Sequence, residues 1–191
     1  MNESLSLVLR AASFSAEQHC RAEKIQNRFR KGADSHPYIN HPLAVARLLI
    51  EEGGVNDPVT LAAALLHDTM EDVPTPYSLL LSEFGPEVAG IVRELTDDKA
   101  LPKAERKRMQ VVNAPHKSHK AAMIKMADKI CNMRDIANSP PAGWDLARKQ
   151  TYYDWGKVVV GALPRCNSKL EAAFEECLKF PLDGRLSAVK N

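Results

Sequence analysis

The chain has 191 residues, 45% hydrophobic and 26% charged, with a formal net charge of +2. That composition is ordinary for a soluble globular protein, and the near-zero charge supplies no global field to recruit nucleic acid or an acidic membrane. The length suits a single domain over residues 1–191, with a loose tail after about 180.

No apolar run approaches the roughly 18 residues of a membrane span. The stretch MNESLSLVLRAASFSAEQHC lacks a basic start and does not read as a signal peptide. Cys20, Cys131, Cys166 and Cys177 form no CxxC pair, so the expectation is free buried thiols in a reducing cytoplasm.

The chain reads as helix after helix. Residues near 4–31 carry apolar side chains at helical spacing, among them Leu5, Val8, Leu9, Ala12 and Ala16. A second helix is expected from Pro42 through LAVARLLIEE to the stop at Gly53-Gly54. A third starts near Asp57-Pro58, runs through VTLAAALLHDTMED, and ends at Pro74-Thr75-Pro76. SLLLSEF and PEVAGIVRELT, on either side of Gly85, predict two more. After the charge-dense DDKALPKAERKR, the stretch VVNAPHKSHK reads as a loop into the helix AAMIKMADKICNMRDIA. Two further helices are expected near 143–163 and 167–179. The fold class is therefore all-α, a helical bundle of about eight or more helices.

The chemistry concentrates in HDTMED. His67-Asp68 follows LAAALL, a run apolar on nearly all sides and hence buried. Ionisable groups there need partners. Glu71 and Asp72 follow at helical spacing, so three carboxylates and an imidazole crowd one helix end. A divalent cation among them relieves the repulsion. For a lone His-Asp dipeptide a hydrogen-bonded core histidine beside solvated acids would be the better account. The full cluster after a buried run shifts that balance. His41, before Pro42, reads alone as a capping histidine. Asp128 sits among Ile124, Met126, Ala127, Ile130 and Cys131, so it is paired to Lys125 or Lys129 or bound to a ligand. His19, His36, His116 and His119 have no comparable setting, and Trp144, Tyr152, Tyr153 and Trp155 suit a core.

The order His41…His67-Asp68…Asp128 is the ligand order of the HD superfamily. PYINHPLAVARLL, LAAALLHDTMED, SEFGPEVAGIVRELTDDK, LPKAERKR and IKMADKICNMRD resemble the hydrolase domain of RelA/SpoT-type enzymes, which cleave ppGpp and pppGpp at the 3′ position. The resemblance runs from about Ala11 to Leu170. It implies a small stand-alone alarmone hydrolase, similar to the metazoan SpoT homologue, in an HD-domain helical bundle around one ion.

By position, it implies His41, His67, Asp68 and Asp128 as metal ligands and Glu71 and Asp72 as the catalytic acids. It implies substrate contacts from Arg30, Lys31, Lys103, Asn132, Arg148 and Tyr152, groups suited to phosphates and a base. Arg106, Lys107 and Arg108 read as solvated surface charges. Two histidines and two carboxylates suit several first-row metals; the resemblance implies manganese. The implied reaction gives GDP or GTP and pyrophosphate.

Two other readings stay open: an HD phosphatase on another nucleotide, such as the 2′-phosphate of NADPH, and a non-catalytic nucleotide-binding module. No GxxxxGK[ST] loop is present, and a chain of this length leaves no room for a synthetase domain, so no alarmone synthesis is expected.

Overall fold

The structure is a computed structural model describing residues 3–21, 29–32, 35–73 and 75–182. Among the described residues there are nine α-helices: α1 (Glu3–Cys20), α2 (Asn40–Glu51), α3 (Pro58–Leu66), α4 (Thr69–Asp72), α5 (Tyr77–Leu95), α6 (Lys103–Asn113), α7 (His119–Asn138), α8 (Leu146–Ala162) and α9 (Ser168–Cys177). The described backbone has no named strand, and its one β-bridge joins Phe29 to Pro37. The all-α expectation is met. No described helix is long and apolar enough to cross a membrane.

Helix α3 is the hub. Every residue from Thr60 to Leu66 is buried, and α1, α2, α5 and α7 all pack on it. Ala62, Ala63 and Ala64 are fully buried, and their small side chains let neighbouring helices approach closely. Its start is fixed by Asp57, whose carboxylate accepts from the Thr60 N–H at 2.9 Å and the Thr60 hydroxyl at 2.6 Å. Asp57 also pairs with Lys120 at 3.0 Å, and Lys120 with Glu87 at 2.7 Å, which links α3, α7 and α5.

Several boundaries differ from the sequence reading. The first helix ends near Cys20, and Phe29 lies in the bridge to Pro37, so it does not extend to residue 31. Helix α2 begins at Asn40, which places His41 and Pro42 inside its first turn. VVN belongs to α6, and only Ala114–His116 forms a short 3-10 turn. The two helices expected around Gly85 run nearly continuously as α5, with one interruption. Gly85 has φ +80° and ψ 172°, a conformation essentially limited to glycine, and Pro86 restarts the helix.

The third expected helix also breaks, at His67-Asp68. Asp68 has φ −95° and ψ −6°, and α4 follows as a single turn. Side chains take over the carbonyls released there. The His67 Nδ1–H donates to the Ala64 carbonyl at 2.8 Å, and the Thr69 hydroxyl donates to the Leu66 carbonyl at 2.7 Å. Of the cysteines, Cys131 and Cys177 are buried as expected, Cys166 is half-buried, and Cys20 is exposed.

Candidate metal centre and nucleotide pocket

Three helices bring the histidines and aspartates together. His41 comes from the first turn of α2, His67 from the end of α3, and Asp128 from the middle of α7, all buried. Ligand atoms from these three lie within 4.8 Å of one another. His41 Nε2 is 3.2 Å from Asp128 Oδ1, and His67 Nε2 is 3.9 Å from that oxygen. Asp68 lies at their edge, with Oδ1 3.2 Å from His67 Nε2 and Oδ2 3.8 Å from His41 Nε2.

The donors suit a divalent ion. With its Nδ1–H held by Ala64, His67 turns the Nε2 lone pair inward, and that nitrogen makes no hydrogen bond among the described residues. Burial keeps the His41 pKa below the usual histidine value, which favours the neutral, ligating form. Burial pushes the Asp128 carboxyl up, but Lys129, the His41 hydrogen bond and Lys125 outweigh it and hold the group well below the usual range. Lys129 Nζ is 3.3 Å and Lys125 Nζ 4.0 Å from Asp128 Oδ2, and both lysines are buried. Of the expected alternatives the structure shows the lysine pairing, to both lysines, and Asp128 also faces two imidazoles. Burial likewise opposes ionisation of Asp68, and His67 and His41 outweigh it.

Glu71 and Asp72 stand beside this cluster. The Asp97 N–H donates to Glu71 Oε2 at 3.3 Å, and Lys99 Nζ lies 3.2 Å from Glu71 Oε1 and 2.9 Å from Asp72 Oδ1. Arg106 approaches Glu71 at 3.8 Å. Burial, with Asp68 and Asp97 nearby, raises the Glu71 pKa above the usual glutamate value; Lys99 opposes the rise. The Tyr38 hydroxyl lies 2.8 Å from both Asp68 Oδ2 and Asp72 Oδ2.

A cavity of about 220 Å³ opens next to these groups. Its lining includes Arg30, Lys31, Tyr38, Asp72, Asn132, Asp135, Trp144 and Tyr152. Four residues expected to touch substrate, Arg30, Lys31, Asn132 and Tyr152, therefore share one wall system. Arg30 Nη2 donates to Asn132 Oδ1 at 2.7 Å and Asp135 Oδ2 at 2.6 Å, and Asn132 in turn donates to Asp128 Oδ1.

Lys103 and Arg148 are not in this lining. They belong to a second cluster, where α6 meets α8. The Arg148 guanidinium lies 4.7 Å from the Trp144 ring centre. Lys107 is not the solvated surface charge that the sequence suggests. Its ammonium sits 4.5 Å from the Trp155 ring centre and 5.6 Å from that of Tyr152. Burial, then Lys103, Lys129 and Arg148, lowers its pKa. Arg108 is exposed, as expected, and it pairs with Glu105.

Sequence reasoning gave no role to Tyr38 or Asp135, read Trp144 as a core aromatic, and set His19 aside. His19 is 2% exposed and stacks on Tyr38 with ring centres 4.7 Å apart. Tyr38 stood inside the quoted PYINH motif, but only the fold shows what its hydroxyl meets. No sequence signal marks His19.

The family model for the HD domain matches residues 11–153. A Xenopus tropicalis protein named guanosine-3′,5′-bis(diphosphate) 3′-pyrophosphohydrolase MESH1 is 47% identical over 92% of this chain and 94% of its own length. The Homo sapiens protein of that name is 44% identical over 94% of this chain and 97% of its own. A solved structure, described as a metazoan ortholog of SpoT that hydrolyses ppGpp, superposes with a TM-score of 0.83. It is 38% identical and covers 90% of this chain and 93% of its own. A Listeria monocytogenes structure, 24% identical over 78% of this chain and 97% of its own, shares the fold with a TM-score of 0.61. The chain belongs to the HD-domain family and groups within it with these small relatives of SpoT.

Proposed function

We propose that this chain hydrolyses the 3′-diphosphate of ppGpp and pppGpp, releasing pyrophosphate and leaving GDP or GTP, with manganese as the bound ion and the cytoplasm as its place of action. The observation that carries this reading is the convergence of His41, His67, Asp68 and Asp128 from three parts of the chain beside two further acids and a cavity lined by Arg30, Lys31, Asn132 and Tyr152. The names of the MESH1 relatives support the substrate.

His41, His67, Asp68 and Asp128 would hold the ion. When bound, a divalent ion lowers the pKa of a water and polarises a phosphoryl oxygen. The chain's own residues supply the rest. Glu71 is the favoured base for the attacking water, because its side chain reaches back along the helix toward Asp68 and burial raises its pKa, which strengthens it as a proton acceptor. Asp72, held by Tyr38 and Lys99, orients that water or the leaving group. Arg30, Lys31, Asn132 and Tyr152 in the cavity, with Lys103 and Arg148 beyond it, bind the nucleotide through charge and ring faces.

The test is release of pyrophosphate from ppGpp by purified protein loaded with Mn²⁺, with products resolved by chromatography. GDP and pyrophosphate in equal amounts support the reading. Turnover of NADPH to NADH and phosphate, with ppGpp untouched, would replace it.

A further inference from the structure

We infer that Tyr38 is a positioning residue of the active site, its hydroxyl fixing the metal ligand Asp68 and the catalytic acid Asp72 relative to one another. This deepens the reading just proposed and rests on its placement of the ion.

The phenol oxygen is 2.8 Å from one oxygen of each carboxylate. Each carboxylate has its other oxygen placed elsewhere. Asp68 Oδ1 lies 3.2 Å from His67 Nε2, inside the ligand cluster. Asp72 Oδ1 lies 2.9 Å from Lys99 Nζ. With Oδ2 engaged by the phenol, Asp68 turns Oδ1 toward His67. The same contact sets the rotamer of Asp72, four residues on. The short turn α4 joins the two acids through the backbone, with the Asp72 N–H on the Asp68 carbonyl at 2.8 Å, and Tyr38 joins them through their side chains.

The ring is itself held. His19 stacks on it at 4.7 Å with 25° between the planes, the Arg30 guanidinium sits 5.6 Å from its centre, and His41 meets it edge-on at 6.1 Å. A single sp² ring confined by three neighbours offers its hydroxyl in one direction. A phenol titrates near about 10 and is protonated at neutral pH. It therefore enters these contacts as an O–H, with one hydrogen to share between two carboxylates, and ties their orientations together.

Residues that hydrogen-bond metal ligands from behind change metal affinity or activity by about 10–100-fold when removed. Tyr38→Phe deletes the hydroxyl and keeps the ring in place between His19 and Arg30. The experiment titrates Mn²⁺ into metal-free wild type and Tyr38→Phe by calorimetry, with Co²⁺ absorption as a second report of ligand geometry, and then measures kcat and KM on ppGpp. The expected result is Mn²⁺ affinity weaker by about 10-fold or more, an altered Co²⁺ spectrum, and lower kcat with KM little changed. In an Asp72→Asn background the same substitution should then cost much less in kcat, since the coupled partner is already altered.

Unchanged Mn²⁺ affinity and kcat would overturn the inference, even if the melting temperature fell. A rise in KM alone would overturn it too, by making Tyr38 a substrate contact. The titration involves no nucleotide. A failure of the ppGpp assay therefore counts against the proposed substrate, and a Tyr38→Phe titration that matches wild type counts against Tyr38.

Discussion

Two charged clusters meet near the cavity, and they are built on opposite principles. In the acidic one, Asp68, Glu71, Asp72 and Asp128 each have named partners: histidines, lysines, a backbone N–H and a phenol. In the cationic one, Lys103, Lys107 and Arg148 make no ion pair among the described residues and rest on aromatic rings or in solvent. A group tied on several sides is placed before substrate arrives, which is what a reaction centre requires. A loosely held cation is available to whichever anion comes. The difference predicts that changes in the first cluster act on metal and kcat, and changes in the second on KM.

The largest effect should come from removing a ligand. His41→Ala or Asp128→Ala should abolish bound manganese and activity together, checked by metal analysis and pyrophosphate release. Full metal occupancy in both variants would break the comparison at its root. Asp128→Ala should also lower stability, because Lys125 and Lys129 lose the carboxylate between them. Breaking a buried pair this way typically costs about 3–5 kcal/mol, which a denaturant melt of the metal-free protein measures.

Next come Glu71→Gln and Asp72→Asn. Both should keep the ion and lose about 10²–10⁴-fold in kcat. Normal turnover in both would reduce these acids to helix-end charges. In the cationic cluster, Arg148→Ala should raise KM by roughly ten- to a hundredfold, the equivalent of about 1.5–3 kcal/mol for a charged hydrogen bond. An equal fall in kcat with KM unchanged would erase the distinction between the clusters.

A pH effect sharpens the comparison further. A general base works deprotonated, so activity should fall as pH drops through the raised pKa of Glu71. Lys99 opposes that rise, so Lys99→Met should move the acid limb to higher pH.

The smallest effect concerns Lys117, outside both clusters, whose pKa burial and Lys125 lower to about 8. An unfolded lysine titrates near about 10.4, so between these values the unfolded chain binds more protons and stability rises with pH. Lys117→Met should flatten that rise in melts between pH 8 and 10.

The two clusters were also unequally legible in the sequence. His67-Asp68 and Glu71-Asp72 announce themselves, because ionisable residues directly after LAAALL demand a reason. His41 and Asp128 gain theirs only from order along the chain and from resemblance. The cations carried no signal of their own, and Lys107 reads as surface because a charge in a basic stretch usually is. The two helix interruptions show the same division. Gly85-Pro86 is visible in residue type, since φ +80° asks for glycine. The break at His67-Asp68 contains neither glycine nor proline. Side-chain bonds from His67 and Thr69 sustain it, and such bonds depend on the finished fold.

Lys125 and Lys129 carry a consequence for how the protein is put to work in a cell. They give Asp128 counter-charges that belong to the polypeptide, so its ionised form is satisfied by the chain itself. Folding then has no need to wait for an ion, unlike that of small zinc modules, which collapse only on the metal. A chelator should silence such an enzyme without unfolding it, and resupply should restore it within the time of a binding event.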